Sequence, residues 1–398
     1  MELALLKKDN LIGATLLVSG CCIGAGMIGL PVVSAMAGFI PTTLAMFLCY
    51  LFATGTGLLI LEATLWFDQK VNLISIANFA LGKFGKFLAW FLFLFLFYCL
   101  FVAYIDGGGQ LTAQIVGFLF NTTISREVGI IICVPLVALI VYGGTHAVSS
   151  INRIFLVGLG VSYLTLIFLG IPYVNEKQLL YTNYVGLSSA IPILLVCFGY
   201  QNLVPTLVHY VKRNVDVMRY AIFIGNLIPF LIYTLWNFVI LGILPDMDSA
   251  NIVKIASESN MVSGLLEKTS QSQAVLQAVK AFTFFGLFTP FIASTLSFVD
   301  FIKDGLKMSS GSKYEFFVYL LVLVPPTVLT LSYPHLFLKA LGLVGGVVDV
   351  ALFGILPILI VSIGRYFKKV EGPYKAPGGI LFLSFLFMLC LMFLTFRN

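Results

Sequence analysis

Eleven apolar runs, each near the ~20 residues that an α-helix needs to cross a bilayer, divide this chain of 398 residues. They fall near 11–35, 41–65, 86–119, 128–145, 152–172, 188–208, 220–244, 274–301, 315–332, 337–364 and 378–396. Proline and glycine mark many of their ends, as at Phe39-Ile40-Pro41 and Leu244-Pro245. The third, eighth and tenth runs are the longest and are expected to tilt. One long segment, 245–273, is polar and is expected to carry a short helix on the outer face. Hydrophobic residues make up 60% of the chain and charged residues 10%, against about 25% charged in a soluble domain. A water-soluble fold has too little interior for so much apolar surface. The expected fold class is therefore all-α integral membrane, with about eleven transmembrane helices.

The net charge of +6 does not indicate a nucleic-acid partner, because the basic residues sit in short loops and form no run on a polar face. With the N-terminus inside, sixteen Lys and Arg residues fall on inner segments and seven on outer ones. The positive-inside rule selects that orientation, and an odd number of spans places the C-terminus outside. The expected location is a bacterial inner membrane. All seven cysteines lie in apolar runs, so free thiols are expected. The three histidines have no metal-ligand spacing, and no cofactor or catalytic constellation is visible, which speaks against an enzyme. The first run lacks a small-residue cleavage site and reads as a retained helix rather than a signal peptide.

Two runs are interrupted. The first contains Gly24-Ala25-Gly26-Met27-Ile28-Gly29-Leu30-Pro31. The GxGxxG pattern is not a dinucleotide site, since no strand precedes it and it lies in mid-membrane. It fits either close helix packing through small residues or a broken helix whose bare backbone faces a ligand. The sixth run contains Phe198-Gly199-Tyr200-Gln201-Asn202 and then Pro205, seven residues after Phe198, as Pro31 follows Gly24. Matched interruptions in the first and sixth helices point to two inverted five-helix repeats, 11–172 and 188–364, with 378–396 added, in one transporter domain. A zwitterionic solute can be held in a low-dielectric place by such backbone. Half-helix N-termini suit a carboxylate, here Gly24, Ala25, Gly26 and Met27. Carbonyls near Cys197, Phe198 and Gly199 suit an ammonium, with Tyr200 beside them and Gln201 and Asn202 offered to a polar ring tip.

These residues resemble a known family. Ser19-Gly20-Cys21-Cys22-Ile23-Gly24-Ala25-Gly26-Met27-Ile28-Gly29-Leu30-Pro31, Tyr104-Ile105-Asp106-Gly107-Gly108-Gly109 and Ser297-Phe298-Val299-Asp300 are similar to stretches of the hydroxy/aromatic amino acid permeases, and most of all to the tyrosine-specific members. The resemblance implies a leucine-transporter-like 5+5 fold and proton-coupled uptake of tyrosine or tryptophan. It departs at Cys21-Cys22, where a Thr-Thr-type pair is usual, and at Asp106, where serine is common. Ser294 and Thr295 resemble the hydroxyls that bind sodium in related folds together with carbonyls near Gly20 and Ile23. Hydroxyls in spans more often bond their own helix.

Ionisable groups within spans are functional hypotheses by default. Asp106 lies about 30 Å along the third run, at ~1.5 Å per residue, and Lys280 about two turns into the eighth. They are expected to meet near an outer gate, as a proton-sensitive latch or as a static pair. Asp349, beside Gly345-Gly346, is expected either to line a water path or to bond a neighbouring helix. Glu62 and Asp300 read as interfacial anchors. Tyr98, Tyr104, Phe282 and Phe285 are placed to line a ring pocket, although core packing is the better explanation of any single one. The function expected is secondary uptake of an aromatic amino acid, tyrosine first, by proton symport through alternating access. The alternatives are sodium coupling, tryptophan or another neutral amino acid, and a channel. A channel needs a continuous polar pore, which the runs do not offer.

Overall fold

The computed structural model describes residues 2–245, 254–255, 259, 261–269, 272–306 and 315–395, and among these there are helices and no strands. In chain order they are α1 (Glu2–Cys22), α2 (Ala25–Ala37), α3 (Phe39–Leu65), α4 (Leu73–Phe120), α5 (Arg126–Tyr142), α6 (Gly144–Gly170), α7 (Glu176–Leu179), α8 (Leu187–Cys197), α9 (Val204–Tyr210) and α10 (Val215–Gly242). They continue as α11 (Val262–Thr269), α12 (Gln273–Gly305), α13 (Glu315–Ser332), α14 (Phe337–Phe367) and α15 (Gly379–Thr395). Among the described residues seven helices are long and apolar enough to cross a bilayer, or eight when the bent pair α1–α2 counts as one span. The helices α5, α13 and α15, expected as spans, run only 17, 18 and 17 residues. At ~1.5 Å per residue each reaches about 26 Å, close to the lower limit for a hydrocarbon core. Phe84, Phe87, Phe118 and Phe168 stand more than half exposed around the bundle, a surface suited to lipid rather than water.

Three expected elements take another form. The third run begins earlier, at Leu73, where the Asn72 side chain accepts from the Ser75 N–H at 2.9 Å and caps the helix. Gly82, at φ 67°, then turns that polar-spotted opening into the long span. The tenth run is not one regular α-helix: Val344–Ile355 and Ile363–Phe367 wind as π-helix. Within it Gly345 lets the backbone approach α8, since a Cβ there would collide with the Pro192 carbonyl oxygen. The short helix of the polar segment, α11, is not loose on the surface: one side packs into the bundle while Glu267 stays exposed. Met261, Val262, Leu265 and Leu266 are buried, and α11 packs on α2 and α12. The rest of 245–273 falls mostly outside the described residues, as do Lys307, Lys313 and Arg397 of the charge count.

Glu62 is not an interfacial anchor. It is 2% exposed and forms a two-pronged ion pair with Arg365, whose side chain is also 2% exposed. Arg365 Nε donates to Glu62 Oε1 at 2.6 Å, its Nη2 bonds Glu62 Oε2, and Nη2 also donates to the Ala376 carbonyl at 2.8 Å. The Ala376 N–H returns a bond to Glu62 Oε2 at 2.7 Å. The pair ties α3 to α14 and to the loop before α15.

Candidate functional site

Both interruptions break the helical ladder. In α1 the last regular bond runs from Ile23 N–H to the Ser19 carbonyl at 3.2 Å. Gly24 is extended (φ −162°, ψ −149°), and α2 restarts at an angle of 54°. The first N–H groups of α2 therefore have no carbonyl one turn back to bond. In the sixth segment α8 ends at Cys197. Phe198 and Gly199 then bond three residues back, at 3.1 and 3.2 Å, and Tyr200 only two back, to Phe198, at 3.1 Å. A 3-10 turn, Gln201–Leu203, precedes α9.

The two breaks meet each other. A Cβ on Gly26 would stand 2.7 Å from Cys197 Sγ and 3.4 Å from its Cα. The small residues of the first segment thus provide close packing and an open ladder together. Their freed carbonyls are met by α10, which the sequence reading did not single out. The Tyr233 hydroxyl shares its proton between the carbonyls of Cys22 at 2.7 Å and Cys197 at 3.2 Å. Trp236 Nε1 donates to the Met27 carbonyl at 3.0 Å. Asn226 Nδ2 donates to Thr54 Oγ1 at 3.0 Å and the Tyr50 carbonyl at 3.2 Å. Asn237 Nδ2 donates to Ser34 Oγ at 3.1 Å. Carbonyls left bare away from water are costly, so Tyr233 and Trp236 hold the breaks open, while Asn226 and Asn237 fix α10 against α3 and α2. A signal was present: Asn226, Tyr233 and Asn237 recur at helical spacing within an apolar run, on one face. Tyr233→Phe is expected to leave two buried carbonyls unmet, costing about 1–3 kcal/mol. Thermal unfolding of the purified variant should show the loss, and an unchanged midpoint would mean the hydroxyl does not clamp the breaks.

Between the breaks lies a cavity of about 270 Å³, near the lower end of small-molecule sites, ~300–1,000 Å³. Its backbone wall is Gly24, Ala25 and Gly26 on one side and Gly199 with Asn202 on the other. Its rings are Phe93, Phe97 and Tyr104 of α4 and Phe353 of α14, and Ser294 and Asp349 supply polar atoms. The cavity is thus apolar in body with a few polar groups at its backbone end.

The sequence matches the tryptophan/tyrosine permease family over residues 7–397. The chain belongs to that family. It is 29% identical to the tyrosine-specific transport system 1 of Haemophilus influenzae, over 96% of this chain and 94% of that protein. It is 28% identical to the tryptophan-specific transport protein of the same organism, again over 96% and 94%. A glutamine transporter 2 of Aliivibrio fischeri is 26% identical, over 97% of this chain and 98% of the relative. Relatives of this permease thus carry names for three different amino acids.

Several residues marked in the sequence are brought to the permease cavity, namely Gly24, Ala25, Gly26, Gly199, Asn202, Tyr104 and Ser294. Others are not. The Met27 N–H is spent on the Gly24 carbonyl at 3.0 Å. The carbonyls of Cys197 and Phe198 already accept from Tyr233 and from the Tyr200 N–H. The Gly199 carbonyl has only the Cys21 thiol, at 3.6 Å. The Tyr200 hydroxyl donates to the Ala53 carbonyl at 3.0 Å, and Gln201 Nε2 to Thr56 Oγ1 at 3.4 Å. Both side chains therefore turn into α3 rather than toward a ligand. Tyr98 faces a separate apolar groove and donates to the Leu321 carbonyl at 2.9 Å. Phe282 packs on Trp236, ring centroids 4.4 Å apart, and Phe285 on Phe155 at 5.7 Å. The cavity rings Phe93, Phe97 and Phe353 were hidden among many phenylalanines at similar spacing. Thr295 Oγ1 bonds its own helix, at the Phe291 carbonyl, 2.8 Å away. Gly20 is exposed and Ile23 half-buried, and neither lines the cavity.

Asp106 and Lys280 do not meet. Asp106, 2% exposed, pairs with Arg126 at the start of α5 and accepts the Phe337 N–H at 3.0 Å. Arg126 also donates to the Thr330 carbonyl at 3.0 Å. Lys280 instead reaches Glu267 of α11 at 2.9 Å. Depth along a helix does not say which face a neighbour covers. Arg126 begins a helix that folds back on α4 and claims the carboxylate, and the packed α11 supplies a nearer partner for Lys280.

Proposed function

We propose that this permease is a secondary carrier that takes up an aromatic amino acid, tyrosine first, by proton symport through alternating access. The observation that carries the reading is the cavity walled by both helix interruptions and by four aromatic rings. An amino acid needs a donor set for its carboxylate, acceptors for its ammonium, and a home for its side chain. The first N–H groups of α2 serve the carboxylate at the positive end of a helix dipole. The Gly199 carbonyl and Asn202 serve the ammonium end. Phe93, Phe97, Tyr104 and Phe353 form the ring slot. The names of the Haemophilus relatives support an aromatic solute.

The architecture we infer is the leucine-transporter-like 5+5 inverted repeat, with α1–α2 and α8–α9 as its broken helices and α5, α13 and α15 completing eleven spans. The N-terminus lies inside and the C-terminus outside, as the positive charges direct. The Asp106–Arg126 pair, with Phe337 and Thr330, closes the end of the bundle above the site. The proposed role of Asp106 is to hold that gate.

Purified protein in proteoliposomes tests the reading. Preloaded tyrosine should exchange with labelled external tyrosine, and an acidic exterior should drive accumulation without sodium. Absence of tyrosine exchange would remove the substrate assignment. A strict sodium requirement would remove proton coupling. Competition by glutamine stronger than by tryptophan would favour a polar, non-aromatic solute, as the Aliivibrio relative's name suggests.

A further inference from the structure

Asp349 stands in the cavity wall on the π-helical stretch Val344–Ile355 and is 7% exposed. Among the described residues no hydrogen bond or ion pair reaches its carboxylate, whereas Glu62 and Asp106 each hold an arginine. The titratable groups that line the cavity with it are Cys21, Cys22 and Tyr104; the elements packed against its helix add Cys197 of α8, Cys49, Tyr50 and Glu62 of α3, Lys83, Lys86, Tyr98, Cys99 and Asp106 of α4 and Cys390 of α15. Lys339, on its own helix, lines the separate groove with Tyr98 and Cys99. Among the described residues no Lys or Arg lines the cavity with Asp349.

We propose that Asp349 is the residue that carries the coupled proton. The proposal rests on the reading of this chain as a proton-driven carrier and names the group that reading requires. A carboxylate without a counter-charge in a largely apolar cavity is disfavoured, and taking up a proton removes the charge. A hydronium ion from outer water gives its proton to one Asp349 carboxyl oxygen, leaving water and a neutral acid. The neutral cavity can then close and change sides. Inner water accepts the proton again, restoring the carboxylate. The local backbone suits such a step. Asp349 lies one turn from Gly345, whose backbone passes against the Pro192 carbonyl of α8. A change of charge at Asp349 therefore bears on the helix that ends at the Cys197 break.

The test uses the full chain in lipid. Without solute, infrared spectra should show a carboxylic acid band that titrates in the wild type and is missing in Asp349→Asn. With tyrosine, Asp349→Asn should lower the ratio of pH-driven accumulation to exchange by about tenfold or more. Tyrosine-evoked proton entry, read by a trapped pH dye, should vanish with it. Asp349→Glu should keep accumulation with a displaced pH midpoint. An Asn variant that concentrates tyrosine at the wild-type ratio, or keeps the titrating band, would overturn the proposal. The infrared reading needs no solute, so it decides the protonation of Asp349 even if the wild type exchanges no tyrosine, the result that would overturn the parent reading.

Discussion

Replacing Arg365 with methionine should cost about 3–5 kcal/mol, because it strands the buried Glu62 carboxylate without a counter-charge. Both side chains are 2% exposed, and the guanidinium grips both carboxylate oxygens. Only the Ala376 N–H would remain to Glu62. That loss is a large share of the 5–15 kcal/mol typical of a folded domain, so the variant should be poorly recovered and unfold at lower temperature in detergent. Removing both charges in Glu62→Leu/Arg365→Met should restore most of the loss, since no unpaired ion is then left in the interior. A single Met variant as stable as the wild type would mean that water reaches Glu62.

Gly26→Val should cut tyrosine exchange by roughly tenfold to a hundredfold, the equivalent of about 1–3 kcal/mol of overpacking. The first added carbon already falls 2.7 Å from Cys197 Sγ, and Cys197 is held at the end of α8 by its own carbonyl's bond to Tyr233. The added bulk must push α2 away from α8 and part the two breaks. Gly24→Ala is the companion. There a Cβ meets only Pro290, at 3.7 Å, in ordinary contact, so the loss should be smaller. Equal losses at both positions, or none at Gly26, would show that contact between the breaks does not set the site. Exchange measured in proteoliposomes at matched protein recovery separates these outcomes.

Local chemistry made much of this legible in advance. Long apolar runs require helices in lipid, because backbone groups there have no water to bond. Glycine, with polar residues and proline close behind, weakens a ladder wherever it occurs, so Gly24 and Phe198–Asn202 marked both interruptions. Gly82 and the π-helical turns at Gly345 were not legible. The first lies in a stretch whose Asn78 and Lys83 dilute hydropathy, and at the second the backbone passes a carbonyl of another helix, a contact no local pattern shows.

The sequence by itself determined that the chain is a bundle of apolar helices, that two of them fail in mid-run, and which family it belongs to. These properties depend on composition and on neighbours within a turn or two. Only the tertiary structure decided the pairings: Asp106 with Arg126 rather than Lys280, Glu62 with Arg365 303 residues away, Tyr233 across both breaks, and Asp349 in the cavity wall with no ion-pair partner among the described residues. Those outcomes depend on which face of each helix turns toward which neighbour, and a run that is apolar on every side gives the sequence no periodicity from which to read it.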